Sequence, residues 1–430
     1  MSNFRAIAPQ SKKILELQYN KPTVHILGDR VNLYQCKPRA NEVIKLQILL
    51  PVSTLFQHQK LQARTASSLA LSGTSQFTSD QIQEQFEFWG TTVNMDTHIF
   101  GTEFTLKATK EHFEASLDWF LKNLKDTIYP QEELAVFQQT EIASMQRKMT
   151  TPKYWSNRIC MENLFGTNSP MTSYADIEDI SKLFPDELMA FHNLYLNPSF
   201  GKWYLSGDTD EDIISQIDVL IQRHCTNTEM PTNATRPKEY QPTGALSIKH
   251  AVENTSQVSM LMAREIPAID EVQIHKLSLL NLILGGFFGS RLMQEIREEQ
   301  GLTYGIGSYI SQTTRGNMWV VSGEMNSAHA EKALDATKEL MRSLVSNPPT
   351  GAELDRAKSY YAGHVRGSFD GPFAMATKLK NIHLRGFGYN HFDTSLSTIW
   401  ATTTEELCAL ADNYLNPDTF YSVLAGEIDS

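Results

Sequence analysis

The sequence predicts an α+β fold built twice, as two homologous domains that each pack an antiparallel sheet against several helices. Three observations carry that prediction. The chain has 430 residues, more than one hydrophobic core usually serves, since domains run about 50–250 residues. A block at 187–208, ELMAFHNLYLNPSFGKWYLSGD, returns at 406–427 as ELCALADNYLNPDTFYSVLAGE. In one ungapped register Tyr195-Leu196-Asn197-Pro198 matches Tyr414-Leu415-Asn416-Pro417 and Gly207 matches Gly426, at a constant offset of 219 residues. Short runs rich in Val, Ile, Thr and Phe alternate with stretches of helical period, which is the pattern of sheet and helix segregated within each half.

In the first half, Val43–Leu50 (VIKLQILL) and 91–106 read as strand material. Ser79 and Asp80 are placed to cap a helix over QIQEQFEFW, with Gly90 as its stop. Over 111–125 the apolar residues Phe113, Leu117, Phe120, Leu121 and Leu124 recur at helical spacing. The run PQEEL from Pro130 is echoed by PTGAEL from Pro349 at nearly the repeat offset. Three prolines and many small polar residues between 225 and 243 have linker composition. The expected division is a first domain over 1–228, a linker over 229–244 and a second domain over 245–430. In the second half, 258–263 and 318–324 read as strands, and 272–284, 291–299, 328–344 and 352–369 as helices.

Composition narrows the function classes. With 41% apolar and 20% charged residues the chain is neither disordered nor low in complexity. A net charge of −11 argues against nucleic acid as a partner, because phosphate binding needs clustered Lys and Arg. Cys36, Cys160, Cys225 and Cys408 form no C-x-x-C, so neither a zinc knuckle nor a dense disulfide framework is indicated, and a reducing compartment fits best. Two long-range disulfides stay open on spacing alone. The N-terminus has no apolar stretch followed by a small-residue cleavage site, and nowhere do about 18 apolar residues run together. A cytoplasmic location and no membrane association are the expectation.

Common catalytic motifs are missing. Gly285-Gly286-Phe287-Phe288-Gly289 has neither dinucleotide-binding nor P-loop spacing and reads as a turn between helices. There is no G-x-S-x-G, and no two histidines stand as H-E-x-x-H or H-x-x-E-H. His58, His98 and His192 read as surface or satisfied core residues.

One segment is specific. Gly285 to Gly307, GGFFGSRLMQEIREEQGLTYGIG, places a glycine turn before S-R-L, then R-E-x-x-G-L, then a strand opening on Tyr. It resembles the second-domain signature of the insulinase/pitrilysin metallopeptidases, the inverzincins, and the duplicated halves and the Gly73-Thr74 pair resemble that family too. The resemblance implies a half-shell around a peptide-admitting chamber. The family's H-x-x-E-H helix binds zinc through its two His and uses the Glu as base for the attacking water. Counting back from Gly73, those positions here are Arg64, Ser67 and Ser68. The distal ligand position falls on Glu141, a remnant that by itself reads as a solvated helix residue. Hence no metal or other cofactor is expected on this chain, and no peptide cleavage by this chain alone.

The resemblance also implies roles for Arg297 and Tyr304, seven positions apart: contacts to the scissile carbonyl or the substrate backbone, made across to another subunit's zinc. From residue chemistry alone Arg297 reads equally as a surface ion pair with neighbouring glutamates and Tyr304 as a half-buried aromatic. Arg291 reads as an ion-pair partner within its own helix cap. A chain without zinc ligands but with Arg and Tyr resembles the non-metal subunit of heterodimeric bacterial relatives. The partner would be a homologous H-x-x-E-H subunit holding zinc, and the substrates unfolded or short peptides bound as an added strand. The alternative is a catalytically inactive scaffold or peptide-binding protein of the same fold.

Overall fold

A computed structural model describes residues 13–17, 19–36, 42–167, 169–172, 174–225, 228–231 and 246–428. Apart from 229–231, the expected linker over 229–244 lies outside the described residues, as do the first twelve residues on which the N-terminal reading rests.

The first half forms a six-stranded sheet from β1 (Thr23–Leu27), β2 (Val31–Gln35), β3 (Val43–Leu50), β4 (Thr92–His98), β5 (Gly101–Thr109) and β6 (Lys202–Gly207), ordered β1-β2-β6-β3-β5-β4. The second forms a five-stranded sheet from β7 (Ser247–Ala251), β8 (Gln257–Pro267), β9 (Thr303–Gln312), β10 (Gly316–Asn326) and β11 (Tyr421–Gly426), ordered β7-β11-β8-β10-β9. Without β1 the two orders are the same. Each sheet departs from the all-antiparallel expectation at one pair, β2 with β6 and β7 with β11. Parallel neighbours need a long crossover, and in both halves the last strand returns only after an excursion through helices.

The repeated block is explained by its geometry. Helices Pro185–Tyr195 and Thr404–Tyr414 are each followed by a 3₁₀ turn in which the Asn side chain accepts a backbone N–H, Asn197 from Ser199 at 3.0 Å and Asn416 from Asp418 at 3.1 Å. The proline after each Asn opens the turn, where its missing N–H costs nothing. Gly207 and Gly426 end the two returning strands at φ +116° and +148°, and a Cβ on Gly207 would lie 2.0 Å from the Val43 carbonyl oxygen. Only glycine fits there.

Elsewhere the boundaries shift. The strand material expected over 91–106 is a hairpin of two strands, β4 and β5. The helix Ser79–Phe88 is capped by Thr78, whose hydroxyl accepts from the Gln81 N–H while the Gln81 side chain accepts from the Thr78 N–H. That reciprocal pair needs Gln or Glu three residues on; Ser79 has Ile82 there, and Asp80, although followed by Gln83, already lies inside the helix. All four cysteines are free. Among the described residues no helix is long and apolar enough to cross a membrane.

Each sheet buries one face against its own helices, forming two separate cores. The other faces are covered reciprocally. Helix Pro152–Phe165, from the first half, lays Cys160, Leu164 and Phe165 on Leu261, Ala263, Met318 and Val320 of the second sheet. Helix Pro372–Leu384, from the second half, lays Met375, Ala376, Leu379 and Ile382 on Leu49 and Tyr204 of the first. A polar cluster completes the latter junction: Lys380 pairs with Glu103, Gln47 donates to Glu103 at 2.7 Å, and Lys45 donates to Thr377 at 3.0 Å.

One buried and one half-buried histidine make the fold acid-sensitive. His192 sits against Tyr129 at 2.9 Å and His383 against Tyr204 at 2.8 Å, and desolvation pushes each imidazole from 6.5 down to about 4. Between those values the unfolded chain binds protons that the folded chain refuses, so stability falls as pH drops from about 6.5 toward 4. Denaturant midpoints measured across that window should decline, and the decline should be shallower in His192→Asn.

Candidate functional site

The helix Gln62–Ser68 packs against β4, the edge strand of the first sheet, and against helix Pro185–Tyr195. It carries all three positions at which the resemblance expects zinc chemistry. The Arg64 guanidinium meets the Glu141 carboxylate at 3.1 Å, a contact across 77 residues of sequence. Glu141 is therefore not the solvated helix residue expected of it alone: it is half-buried and paired. Ser67 is buried, and its hydroxyl joins a chain running to Thr97 at 2.5 Å, on to Thr102 at 2.7 Å and to the Val52 carbonyl at 2.8 Å. Ser68 is exposed.

This set does not fit a catalytic zinc. Zinc needs neutral imidazole, thiolate or carboxylate donors, whereas a guanidinium stays cationic and has no lone pair to give. Arg64 puts a positive charge beside Glu141 where an ion would have been, and the hydroxyl chain satisfies Ser67 internally. Beside this helix opens a recess of about 300 Å³ lined by Arg64, Gln57, Thr97 and His98.

The second constellation lies on the second sheet. Helix 272–284 of the expectation runs as an α-helix over Glu271–Asn281 and then widens into a π-helical turn over Leu282–Gly286. Gly285 is pressed against β9: a Cβ there would lie 2.7 Å from the Ser308 backbone nitrogen. The chain turns through Phe287–Gly289 into a second π-helical segment, Leu292–Glu299, which carries Arg297 and packs against β9.

Tyr304 is the extra residue of a β-bulge. Thr303 pairs with Met325 and Gly305 with Glu324, which leaves Tyr304 unpaired between them, and a bulge re-aims the side chain it carries. The Thr303 hydroxyl fastens the bulge by accepting from the Gly305 N–H at 3.1 Å. Tyr304 is 90% exposed, so the expectation of a half-buried aromatic fails. Its phenol stands at a groove of about 510 Å³, bounded by Tyr309, Ser322, Glu324 and Ser259 of the sheet and by Lys153 and Asn157 of the reciprocal helix Pro152–Phe165.

Arg297 is tied to Tyr304 directly. Its Nε donates to the Tyr304 carbonyl oxygen at 3.0 Å, its Nη1 lies 3.6 Å from Glu298, and its guanidinium covers the exposed Phe288 ring at 5.1 Å. The bond through Nε fixes the plane of the fork and does not consume the terminal nitrogens. The pair thus presents a phenol hydroxyl and a guanidinium, the donors that stabilise negative charge on an acyl oxygen. Arg291 does not act within its own helix cap. It forms a two-point pair with Glu353 at 2.8 and 3.0 Å and donates to the Asn347 carbonyl at 2.8 Å, bracing the helix Gly351–Gly367.

Sequence reasoning missed the contributions of Phe288, Lys153 and Asn157. Phe288 stood in the glycine-rich turn already singled out, and the offset to Arg297 was readable. Lys153 and Asn157 reach the groove only because their helix crosses to the other half's sheet, which no local spacing reveals.

Residues 182–361 match the family model described as the peptidase M16 inactive domain. Over this segment the chain is similar to the M16 peptidase family. It is 22% identical over 80% of its length to the Bacillus subtilis protein named "Uncharacterized zinc protease YmxG", 83% of which is covered. It is 24% identical over 63% of its length to the Helicobacter pylori protein named "Non-peptidase homolog YmxG", with 62% of that protein covered. Among solved structures, a peptidase M16 inactive domain from Pseudomonas fluorescens superposes with a TM-score of 0.81 at 21% identity, covering 95% of this chain and 99% of that one. A protease from Helicobacter pylori superposes with a TM-score of 0.83 at 16% identity, over 95% of this chain and all of that one. These two likenesses carry the mixed α/β, two-sheet M16 fold. The segment matched by the M16 model includes β6 of the first sheet and the Arg297/Tyr304 constellation.

Proposed function

We propose that this chain is the non-catalytic, substrate-positioning subunit of a two-chain zinc peptidase. A homologous H-x-x-E-H partner holds the zinc, and this chain supplies Arg297 and Tyr304 across the interface. The observation that carries the reading is an asymmetry between the two halves. Two of the three zinc-motif positions are closed internally, Arg64 on Glu141 and Ser67 on Thr97, whereas Tyr304 projects bare from a bulge with a guanidinium fastened to its backbone. Exposing a tyrosine hydroxyl beside an arginine serves no purpose in packing, while it suits an acyl oxygen that becomes negative during cleavage.

Substrates are unfolded or short peptides. Each sheet ends in an edge strand, β4 or β9, and such edges take an extended chain through main-chain hydrogen bonds. The cytoplasmic setting expected from the sequence goes with this reading.

A fluorogenic peptide assay tests it. This chain alone should be inactive, and a mixture with a homologous H-x-x-E-H subunit should cleave and should elute as one complex. Cleavage by this chain alone with stoichiometric metal at Ser67 and Ser68 would overturn the proposal, as would a zinc subunit whose rate is indifferent to this chain. The second outcome would leave the scaffold reading.

A further inference from the structure

Away from both grooves, the second half gathers two histidines and a carboxylate. Glu271 and His275 are one turn apart on helix Glu271–Asn281, so they share a face. Helix His391–Ala401 packs against that face and presents His391 at its first residue. His391 Nδ1 lies 2.6 Å from Glu271 Oε1, His275 Nε2 lies 3.6 Å from the same oxygen, and the two imidazole rings are 4.9 Å apart between centroids. One ligand atom from each residue can be chosen so that all three fall within 4.8 Å of one another.

A hydrogen-bonded Glu–His pair would be a sufficient account of Glu271 and His391, but it leaves His275 over. That side chain is 3% exposed, and its Nε2 has no hydrogen-bond partner among the described residues. A buried ring nitrogen aimed at a carboxylate yet beyond bonding distance calls for an explanation.

We propose that Glu271, His275 and His391 form a binding site for a divalent cation of the zinc class. Two imidazoles and one carboxylate are a zinc donor set. At metal–ligand distances of about 2.0–2.2 Å, tetrahedral ligand atoms stand roughly 3.3 Å apart, and the observed separations of 2.6 and 3.6 Å bracket that value. A small opening of the Glu271–His391 contact would admit the ion. The carboxylate side is 31% exposed, which gives an entry path and room for water as a fourth ligand. Supporting groups hold the donors: the Phe387 ring stacks on His391 at 4.5 Å, and Arg385 lies over Phe387 at 5.2 Å. Arg385 is a cation beside the site, and the Glu271 carboxylate offsets it. The bound ion would clip helix Glu271–Asn281 to helix His391–Ala401. The site is separate from the Arg64 helix and does not rest on the two-chain reading.

The test uses the full chain, stripped with chelator and dialysed against Zn²⁺ or Co²⁺. One ion per chain is expected by elemental analysis, with visible Co²⁺ absorption of a four- or five-coordinate site and a zinc-dependent rise in melting temperature. His391→Ala and Glu271→Gln should each weaken binding by more than the 10–100-fold typical of losing a supporting residue, and should abolish the zinc-dependent rise while leaving the metal-free melting curve cooperative. Arg64→Ala should bind as the parent does. Absence of stoichiometric metal at tens of micromolar free zinc, or equal affinity in His391→Ala, would overturn the assignment.

Discussion

Removing one oxygen from Tyr304 is expected to cost the two-chain peptidase about 10²–10³ in kcat. In Tyr304→Phe the ring and the bulge persist, because the bulge is held by Thr303 and by the Gly305–Glu324 pairing, so only the hydroxyl is lost. A preorganised donor to a developing oxyanion is worth about 2.7–4 kcal/mol, and the loss should fall on kcat more than on KM because the donor acts where charge builds. Arg297→Ala should cost a comparable factor for a second reason. Its Nε anchors the Tyr304 carbonyl, so its removal loosens the phenol as well. The double variant should be scarcely worse than either single one, since residues acting as a unit are not additive. Steady-state kinetics of the reconstituted pair decide the matter, and rates unchanged by both substitutions would exclude a role in cleavage.

The largest effect on stability is expected at the junction between halves. Glu103 is the carboxylate facing both Lys380 and Lys45, which are 7% and 9% exposed, and its carboxyl is held below the ordinary range by hydrogen bonds from Lys380, Gln47 and Thr105 that outweigh its burial. Glu103→Ala leaves two ammonium groups in a poorly hydrated seam. Breaking a buried pair from one side costs about 3–5 kcal/mol, and equilibrium denaturation should show a loss of that order. Adding Lys380→Met should recover a substantial part of it, because removing the second charge also removes its desolvation penalty. Lys45 provides an internal check. Burial, first, and then neighbouring Lys107 bring its amine down to about 8. The protein should therefore gain stability as pH rises from about 8 toward 10.5, where the folded chain has released a proton that the unfolded chain keeps.

Much of the architecture was legible because it is written locally. Val43–Leu50 is a strand over the whole span that its apolar run suggested, and the Asn-Pro turns repeat because one Asx cap and one crowded glycine are needed in each half. The expected helices over 328–344 and 352–369 appear as Ala330–Ser346 and Gly351–Gly367. Helices Pro152–Phe165 and Pro372–Leu384 were not legible. Each lies between elements of both halves, so its apolar residues are spread round the axis and make no single stripe. The site divides the same way. The offset of Arg297 and Tyr304 could be counted, yet their coupling runs through a backbone carbonyl and a bulge that no residue spacing announces. Arg64 and Glu141 were recognisable as degenerate positions, but not as partners of each other. The Glu271, His275 and His391 cluster has no local signature, because the second imidazole arrives 116 residues later in the chain and not within one helical turn.

The crossed helices have a consequence for how the molecule comes into being. A ribosome finishing residue 231 has made a complete first sheet whose outer face is still bare, since Met375, Leu379 and Ile382 do not yet exist. That face stays uncovered until residue 384 is made, and severing the lobes would bare an apolar sheet face on each fragment.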